Sequence, residues 1–386
     1  LRAPVLKETQ FFHELSLTAA GRVADYKGIT GTVYAYNGGV EWAPIRDIRF
    51  RAGYGRSVRA PNLSDLYSAQ RQNFTPAPSD PCSARNIGTG SATRTANCRA
   101  AGIPAAYDYV YTASLEILSG GNPGLREETS DSITLGAVIE PRFIPGLTMT
   151  VDYYNIKVND VITAPSAQQI LNACYDAASL NNQFCSLFSR VSAGSTGPRG
   201  EEQFRILEGS LQQTTLNYAK LKVRGIDAEI AYRRELGSWG NLKTRLTYTH
   251  LLQNDEFLDP VNPGYADQTL FELGDPQNLF NWDTEFKAGK FTLGFQLRYV
   301  GKQVLNNYED FFSKQGRAPE NADFAAVKFY PSTFYQDIRF GIDVNDTFNF
   351  YGGVDNLYDR KPPYGLTGLG AEANRAGGSG IYDVRG

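Results

Sequence analysis

Residues 291–301 read FTLGFQLRYVG. From Phe291 to Tyr299 every odd position is large and apolar or aromatic, and from Thr292 to Arg298 every even position is small or polar. Such a set shares one face only in a β-strand, whose side chains alternate with period two. This pattern constrains the fold most because it recurs. Phe280, Trp282, Thr284 and Phe286 oppose Asn281, Asp283 and Glu285; Leu242, Leu246 and Tyr248 oppose Lys243, Arg245 and Thr247. Ile226, Ala228, Ile230 and Tyr232 oppose Asp227 and Glu229; Ile338, Phe340, Ile342 and Val344 oppose Arg339, Gly341 and Asp343. Ile48, Phe50, Ala52 and Tyr54 oppose Arg49, Arg51 and Gly53, and Leu147, Met149, Val151 and Tyr153 oppose Asp152. Residues 133–139 alternate in the same way.

A charged second face suits a β-sandwich in water and equally a membrane barrel with a wet lumen. The connections separate the two. Short links carrying turn residues lie at Pro44–Asp47, Arg142–Gly146, Glu235–Asn241, Ala288–Lys290 and Asn345–Thr347. Between them run long links at about 60–125, 162–211, 254–278, 303–333 and 361–382, with one brief exception near Lys27–Thr30. Tight turns at one rim and long loops at the other are the outer-membrane barrel pattern. A sandwich has no reason to keep its long loops at alternate connections.

Eleven strands are expected, at about 13–26, 31–43, 47–59, 126–140, 147–161, 212–234, 241–253, 279–288, 291–302, 334–344 and 348–360. An odd number does not close a bacterial barrel of the usual even kind. After Tyr153 the pattern changes phase, with Ile156 and Val158 on the other side. A bulge or a strand leaving the membrane explains that equally well.

The hydropathy fits. Mean hydropathy is −0.37, and no run approaches the roughly 18 apolar residues of a spanning helix. Barrel strands escape that criterion because only half of each faces lipid. A net charge of −3 gives no electrostatic case for nucleic acid. Aromatics at strand ends (Trp42, Tyr54, Tyr153, Tyr232, Tyr248, Trp282, Tyr299, Tyr335 and Tyr358) are expected to form interfacial girdles. The chain opens on Leu1, without initiator or signal peptide, so a piece of a larger protein or a trimmed form is expected.

Four cysteines fall as local pairs, Cys82 with Cys98 and Cys174 with Cys185, both inside long loops. Neither pair has zinc-ligand spacing, and the two histidines, His13 and His250, lie far away. Two loop-closing disulfides in an oxidising compartment are expected; free thiols of a cytosolic protein are the alternative.

No catalytic, metal or cofactor constellation is expected. His13–Glu14 has no second histidine at ligand spacing, and the glycine-rich 365–380 lacks the GK[ST] of a phosphate loop. Asp152, Asp227 and Glu229 read as lumen lining rather than a glycosidase pair. Arg49, Arg51, Arg59, Lys243, Arg245 and Arg298 fall on lumen faces or upper rims. They would attract an anionic ligand or acidic plug residues, or pair across strands with Asp152, Asp227, Glu229, Asp283 and Asp343. Loop residues Tyr107, Tyr109 and Tyr111 would stack on a ligand or form a small hairpin of their own.

Four stretches resemble TonB-dependent outer-membrane receptors: RAGYGRSVRAPNLSDLY (51–67), NPGLREETSDSITLGAVIE (122–140), LTMTVDYYNIKVNDVI (147–162) and GGVDNLYDRKPPY (352–364). They stand in the family's order, and CYDAASLNNQFCSLFSR resembles the disulfide-closed loop of one subgroup. The resemblance implies an all-β fold: a partial antiparallel up-and-down transmembrane β-barrel, about 11 of 22 strands, spanning residues 1–386, with plug and last strand absent. It implies the outer membrane of a Gram-negative bacterium and active uptake of a scarce bulky ligand such as a siderophore, vitamin or oligosaccharide. The implied partners are outer-membrane lipid, the receptor's own N-terminal plug, the TonB complex and an extracellular ligand. A passive porin-like barrel and a secreted soluble all-β binding module are the alternatives.

Overall fold

The computed structural model of the chain describes residues 1–304 and 329–361. It opens with β1 (Arg2–Thr9), β2 (Phe12–Tyr26), β3 (Gly31–Ile45) and β4 (Ile48–Arg59). The next connection carries α1 (Leu63–Tyr67), β5 (Arg71–Thr75), α2 (Arg94–Ala100) and β6 (Leu115–Gly120). After β7 (Glu128–Ile139) and β8 (Leu147–Thr163) come α3 (Ala167–Asp176) and β9 (Leu211–Thr214). Then follow β10 (Leu216–Glu235), β11 (Asn241–Phe257), β12 (Asp267–Gln268), β13 (Asn278–Ala288), β14 (Phe291–Val300), β15 (Thr333–Asp343) and β16 (Asn349–Val354).

Twelve strands form one antiparallel wall in the order β1-β2-β3-β4-β7-β8-β10-β11-β13-β14-β15-β16, with β12 an appendage on β11. Neighbours in the wall are neighbours in sequence, and its two end strands do not pair, so the described wall is an open part of a barrel. The expected count of eleven is corrected by β1. Its sequence, RAPVLKET, carries Pro4 and a register shift between Pro4 and Leu6, which blur the alternation. A second correction concerns Gln212–Thr214. These residues belong to β9, which pairs with β6 in a small separate sheet, not to the wall.

The apolar face points outward and stays uncovered. Phe50, Leu135, Val151, Ile230, Trp282, Leu293 and Phe340 are all exposed. Among the described residues no second sheet packs on the wall, and the strands run as part of a barrel rather than as a sandwich. Aromatic clusters mark this face, including Phe12–Trp42–Phe50 and Phe280–Tyr299–Phe334. Tyr335 is a correction: it stands opposite Arg298 on the lumen face and is 1% exposed, while Phe334 takes the outward place. Its odd number, shared with Arg339, already put it on the polar side.

The phase change after Tyr153 is not a bulge. The β7–β8 register runs unbroken from Thr129↔Asn159 to Ile139↔Met149, and β8–β10 runs unbroken from Asn159↔Lys220 to Leu147↔Tyr232. The strand stays regular while the polarity of its surroundings inverts. Below Tyr153 the outer face is apolar; above it the outer face carries Asn155 and Lys157, and Ile156 and Val158 turn inward.

Candidate functional site

The first two long connections fold together at one rim. β5 pairs antiparallel with β6, and β6 pairs parallel with β9, joining segments about ninety residues apart. Their shared core includes Ile103, Leu115, Ile117, Ile170, Leu171 and Leu211, none more than 2% exposed. Both expected disulfides are present, Cys82–Cys98 and Cys174–Cys185. Each closes a local loop whose cysteines reach the unit's core.

Two of the ion pairs in this loop unit are buried. Asp80, with a fully buried side chain, accepts two 2.7 Å bonds from the Arg190 guanidinium. Arg190 also donates at 2.7 Å to Phe204 O and to the Tyr175 hydroxyl. Burial opposes the Arg190 charge, but the Asp80 carboxylate outweighs it and leaves the guanidinium more basic than usual. Arg94 and Asp176, 5% and 3% exposed, join α2 to α3. The helix α3 starts at a capping box, with Ser166 Oγ accepting from Gln169 N and the Gln169 side chain from Ser166 N.

Tyr107, Tyr109 and Tyr111 lie within this unit and are not a free stacking surface. Tyr107 donates to Asp80 Oδ2 at 3.0 Å, and Tyr111, 7% exposed, accepts from Ile206 N at 3.0 Å. Tyr109 packs edge-on against Tyr111 at 4.9 Å and lies under the Arg205 guanidinium at 4.3 Å. Burial pushes the Tyr111 hydroxyl up to about 12, the Asp80 carboxylate adding to the effect.

A polar knot ties the unit to the wall. Arg59, at the top of β4, donates to both oxygens of Glu128, the first residue of β7 at the same rim, at 2.7 and 2.8 Å. Glu128 Oε1 also accepts from Ile162 N at 2.8 Å, which brings in the end of β8. Asn62 and Asp65 form a capping box on α1, and the Asp65 carbonyl accepts from Asn122 N at 2.8 Å. Gly121 lies so close to this turn that a Cβ would sit 2.6 Å from Ser68 N. Asn217, on β10, exchanges bonds with both backbone groups of Arg126 at 2.9 and 3.0 Å. The Arg-Ala-Pro-Asn and Asn-Pro-x-Leu motifs therefore form one structure, which fixes where the loops leave the strands. Asp-Asn-Leu-Tyr does similar work after β16, where the Asp337 carboxylate accepts from Asn356 N at 2.7 Å.

The lumen face is charged and neutralised. Arg49 reaches Glu14 at 3.8 Å, Lys243 reaches Glu285 at 2.9 Å and Arg245 reaches Glu229 at 2.6 Å. Arg51 holds Asp152, with one bond of 2.8 Å, and Arg298 lies over the Tyr335 ring at 4.7 Å. Lys287–Asp343 and Arg2–Glu41 continue the pattern. Tyr154 also points inward, where a Cβ on Gly225 would stand 2.4 Å from its hydroxyl, so glycine is what makes room. Across β10–β16 the concave side holds a trough of about 940 Å³ lined by Lys243, Arg245, Asp283, Glu285, Gln296 and Arg339 among others. Among the described residues no group of three or more His, Cys, Asp or Glu side chains is placed to hold a metal. The expected loop 303–333 falls largely, and 361–382 almost wholly, outside the described residues.

An outward-apolar, inward-polar antiparallel wall with folded loops at one rim defines a membrane β-barrel built around a wide lumen. The chain belongs to the TonB-dependent receptor family: the family described as TonB dependent receptor-like, beta-barrel matches residues 8–357. It is a family of transport receptors. Among solved structures the chain resembles a mutant of the ferric enterobactin receptor PfeA of Pseudomonas aeruginosa in complex with enterobactin. The identity is 16% and the TM-score 0.56, covering 93% of this chain and 40% of that one. It also resembles the siderophore receptor PirA of Acinetobacter baumannii, at 14% identity and TM-score 0.53, covering 91% and 40%. The chain thus spans less than half the length of those receptors. No curated protein matches it.

Proposed function

We propose that this chain is the wall and part of the outer vestibule of a Gram-negative outer-membrane receptor that takes up a ferric siderophore with TonB-coupled energy. The observation that carries the reading is the loop unit. Two long loops are folded, stapled and knotted to the strand tops, which suits a preorganised recognition surface at the lumen mouth. Membership of the receptor family and the siderophore receptors among the structural neighbours support it. Because the lumen cations are already neutralised by Glu14, Asp152, Glu229 and Glu285, the wall acts as a wet polar conduit. Ligand choice rests with the loops. A plug domain would fill that conduit, pair with the trough above β10–β16, and be pulled by the TonB complex.

The test is uptake of iron-labelled siderophores by cells carrying or lacking the complete gene. Energy-dependent uptake that disappears with the gene and with the proton-motive force supports the proposal. Passive, unsaturable entry of small solutes in its place refutes it and leaves a porin-like barrel.

A further inference from the structure

The third long connection differs in charge from the first two. Residues 254–277 carry six acids, Asp255, Glu256, Asp259, Asp267, Glu272 and Asp275, and no lysine or arginine. Residues 60–127 and 164–215, which make up the loop unit, hold eight arginines and nine acids between them. Five of those eight arginines are held inside the unit, by Asp80, Asp108, Glu116, Asp176 and Glu208. Residues 301–332 are balanced, with four charges of each sign. In the rest of the chain cations outnumber acids, so the negative charge is gathered in these outer connections.

The acids are held in place beside the loop unit. Val261 packs against the unit's core, and burial, with the Asp259 charge adding to it, raises the Tyr218 hydroxyl to about 12. Thr269 N donates to Asn254 O at 3.0 Å, and Gly274 N donates to Gln303 Oε1 at 2.8 Å. Glu256 stands between Leu221 on β10 and Asp267 on β12. Leu221 shares the lumen parity of Asp227, so Glu256 and Asp267 face the mouth. Asp255 turns outward opposite Lys222, and Lys220 lies on that outward side as well. Burial, together with the Asp267 and Asp275 charges, raises the Glu256 carboxyl above its ordinary value, as crowded acids do.

Building on the uptake reading, we propose that the ligand is an iron(III) chelate with no net negative charge, of the tris-hydroxamate kind, selected at the mouth by the acidic connection 254–277. Tris-hydroxamates balance the charge of iron(III), giving a neutral complex, or a positive one where the chelator bears an ammonium. Tris-catecholates leave the complex strongly negative. Like charges gathered at a cleft raise the arrival of opposite charge by about 10- to 1,000-fold and hold off their own sign. They act over a screening length of about 8 Å at physiological salt. In the lumen below, Arg49, Arg51, Lys243 and Arg245 are already paired with acids. Selection is by summed charge, and no carboxylate is assigned as a ligand of the iron.

The test uses the whole receptor carrying this chain, purified in detergent, with binding followed by calorimetry. The probes share one hydroxamate scaffold: ferrioxamine B with its free ammonium, its neutral N-acetyl derivative and its negative N-succinyl derivative. Ferric enterobactin, a negative tris-catecholate, is the fourth. At low salt the positive and neutral ferrioxamines should bind at least about tenfold more tightly than the succinylated one. The preference should shrink in about 1 M salt, where the screening length falls to about 3 Å. Glu256→Gln/Asp275→Asn should weaken the positive chelate by about threefold to tenfold. Burial disfavours both of those charges, so the amides should leave the fold intact, and heat-modifiable migration on gels checks the barrel. Tightest binding of ferric enterobactin, failure to bind any ferrioxamine, or a charge order unmoved by both salt and the variant overturns the proposal and leaves uptake standing. Iron uptake that persists unchanged without the gene sinks the uptake reading itself.

Discussion

Asp80→Asn offers the sharpest test of how the loop unit is held. Asp80 accepts two bonds from Arg190 at 2.7 Å, one from Tyr107 at 3.0 Å and one from Cys82 N at 3.0 Å, with its side chain fully buried. The asparagine keeps the shape and removes the charge, leaving the Arg190 guanidinium, 11% exposed, without a counter-ion. Breaking a buried pair from one side costs about 3–5 kcal/mol. Every 1.4 kcal/mol is tenfold, so opening of the loop unit should rise roughly 150- to 5,000-fold. Hydrogen exchange read by mass spectrometry on the whole receptor reports this directly. Peptides from 76–122 and 164–215 should lose protection, while peptides from β8, β11 and β14 should not change. Replacing both partners by apolar residues, Asp80→Leu with Arg190→Met, should do less harm than the single change, because no buried charge is stranded. Loop exchange within about threefold of wild type in Asp80→Asn would refute the reasoning.

The knot at the strand tops gives another expectation. Glu128→Gln weakens two charge-assisted bonds from Arg59, so about 1.5–3 kcal/mol is lost, and proteases should cut between residues 60 and 125 sooner while the wall stays intact. Gly146, in the turn before β8, has φ +88° and lies where a Cβ would sit 1.9 Å from Arg233 O. Gly146→Ala should therefore destabilise the barrel by about 1–3 kcal/mol, read as a lower urea midpoint of refolding into vesicles; an unchanged midpoint contradicts the turn geometry. The Tyr111 hydroxyl, pushed up to about 12 by burial, has a folded value above the unfolded one of about 10. Loop stability from this group is complete below about pH 10 and is lost as pH rises towards 12. Tyr111→Phe should remove one late-titrating tyrosinate, and its persistence would count against the burial. On the outer face Val151→Arg should cost about 2–4 kcal/mol in lipid if this height is mid-bilayer, whereas Thr134→Arg, on the lumen face, should cost much less.

Much of the wall was legible because a half-buried strand writes its environment into every second residue. The stretches at 242–248, 280–286 and 291–299 show this alternation with only Thr244 and Thr284 among the outward residues, and the structure places them on three strands that are neighbours in the wall. β1 was missed because Pro4 and the Pro4/Leu6 shift leave no clean period. The loop unit was illegible for another reason: its pairings join Ile117 to Leu211 and Asp80 to Arg190 across about a hundred residues, and no local pattern encodes them. For Tyr107 and Tyr111 the sequence left stacking on a ligand and a small hairpin open, and it could not show their actual partners, Asp80 and Ile206, because these lie far off in sequence. The cysteine pairs were legible since each closes a short local loop. For Arg49, Arg51, Lys243 and Arg245 parity left two outcomes open, and cross-strand ion pairs such as Arg51–Asp152 and Arg245–Glu229 are what the wall contains.

The most direct test of the account is an accessibility scan along β14. Single cysteines would be placed at each position from 291 to 299 in the whole receptor, spin-labelled, and exposed in vesicles to a lipid-soluble and a water-soluble quencher. The account predicts alternation with period two: 291, 293, 295, 297 and 299 reached from the lipid, and 292, 294, 296 and 298 not. Lipid access at every position, or at none of the odd ones, would contradict it.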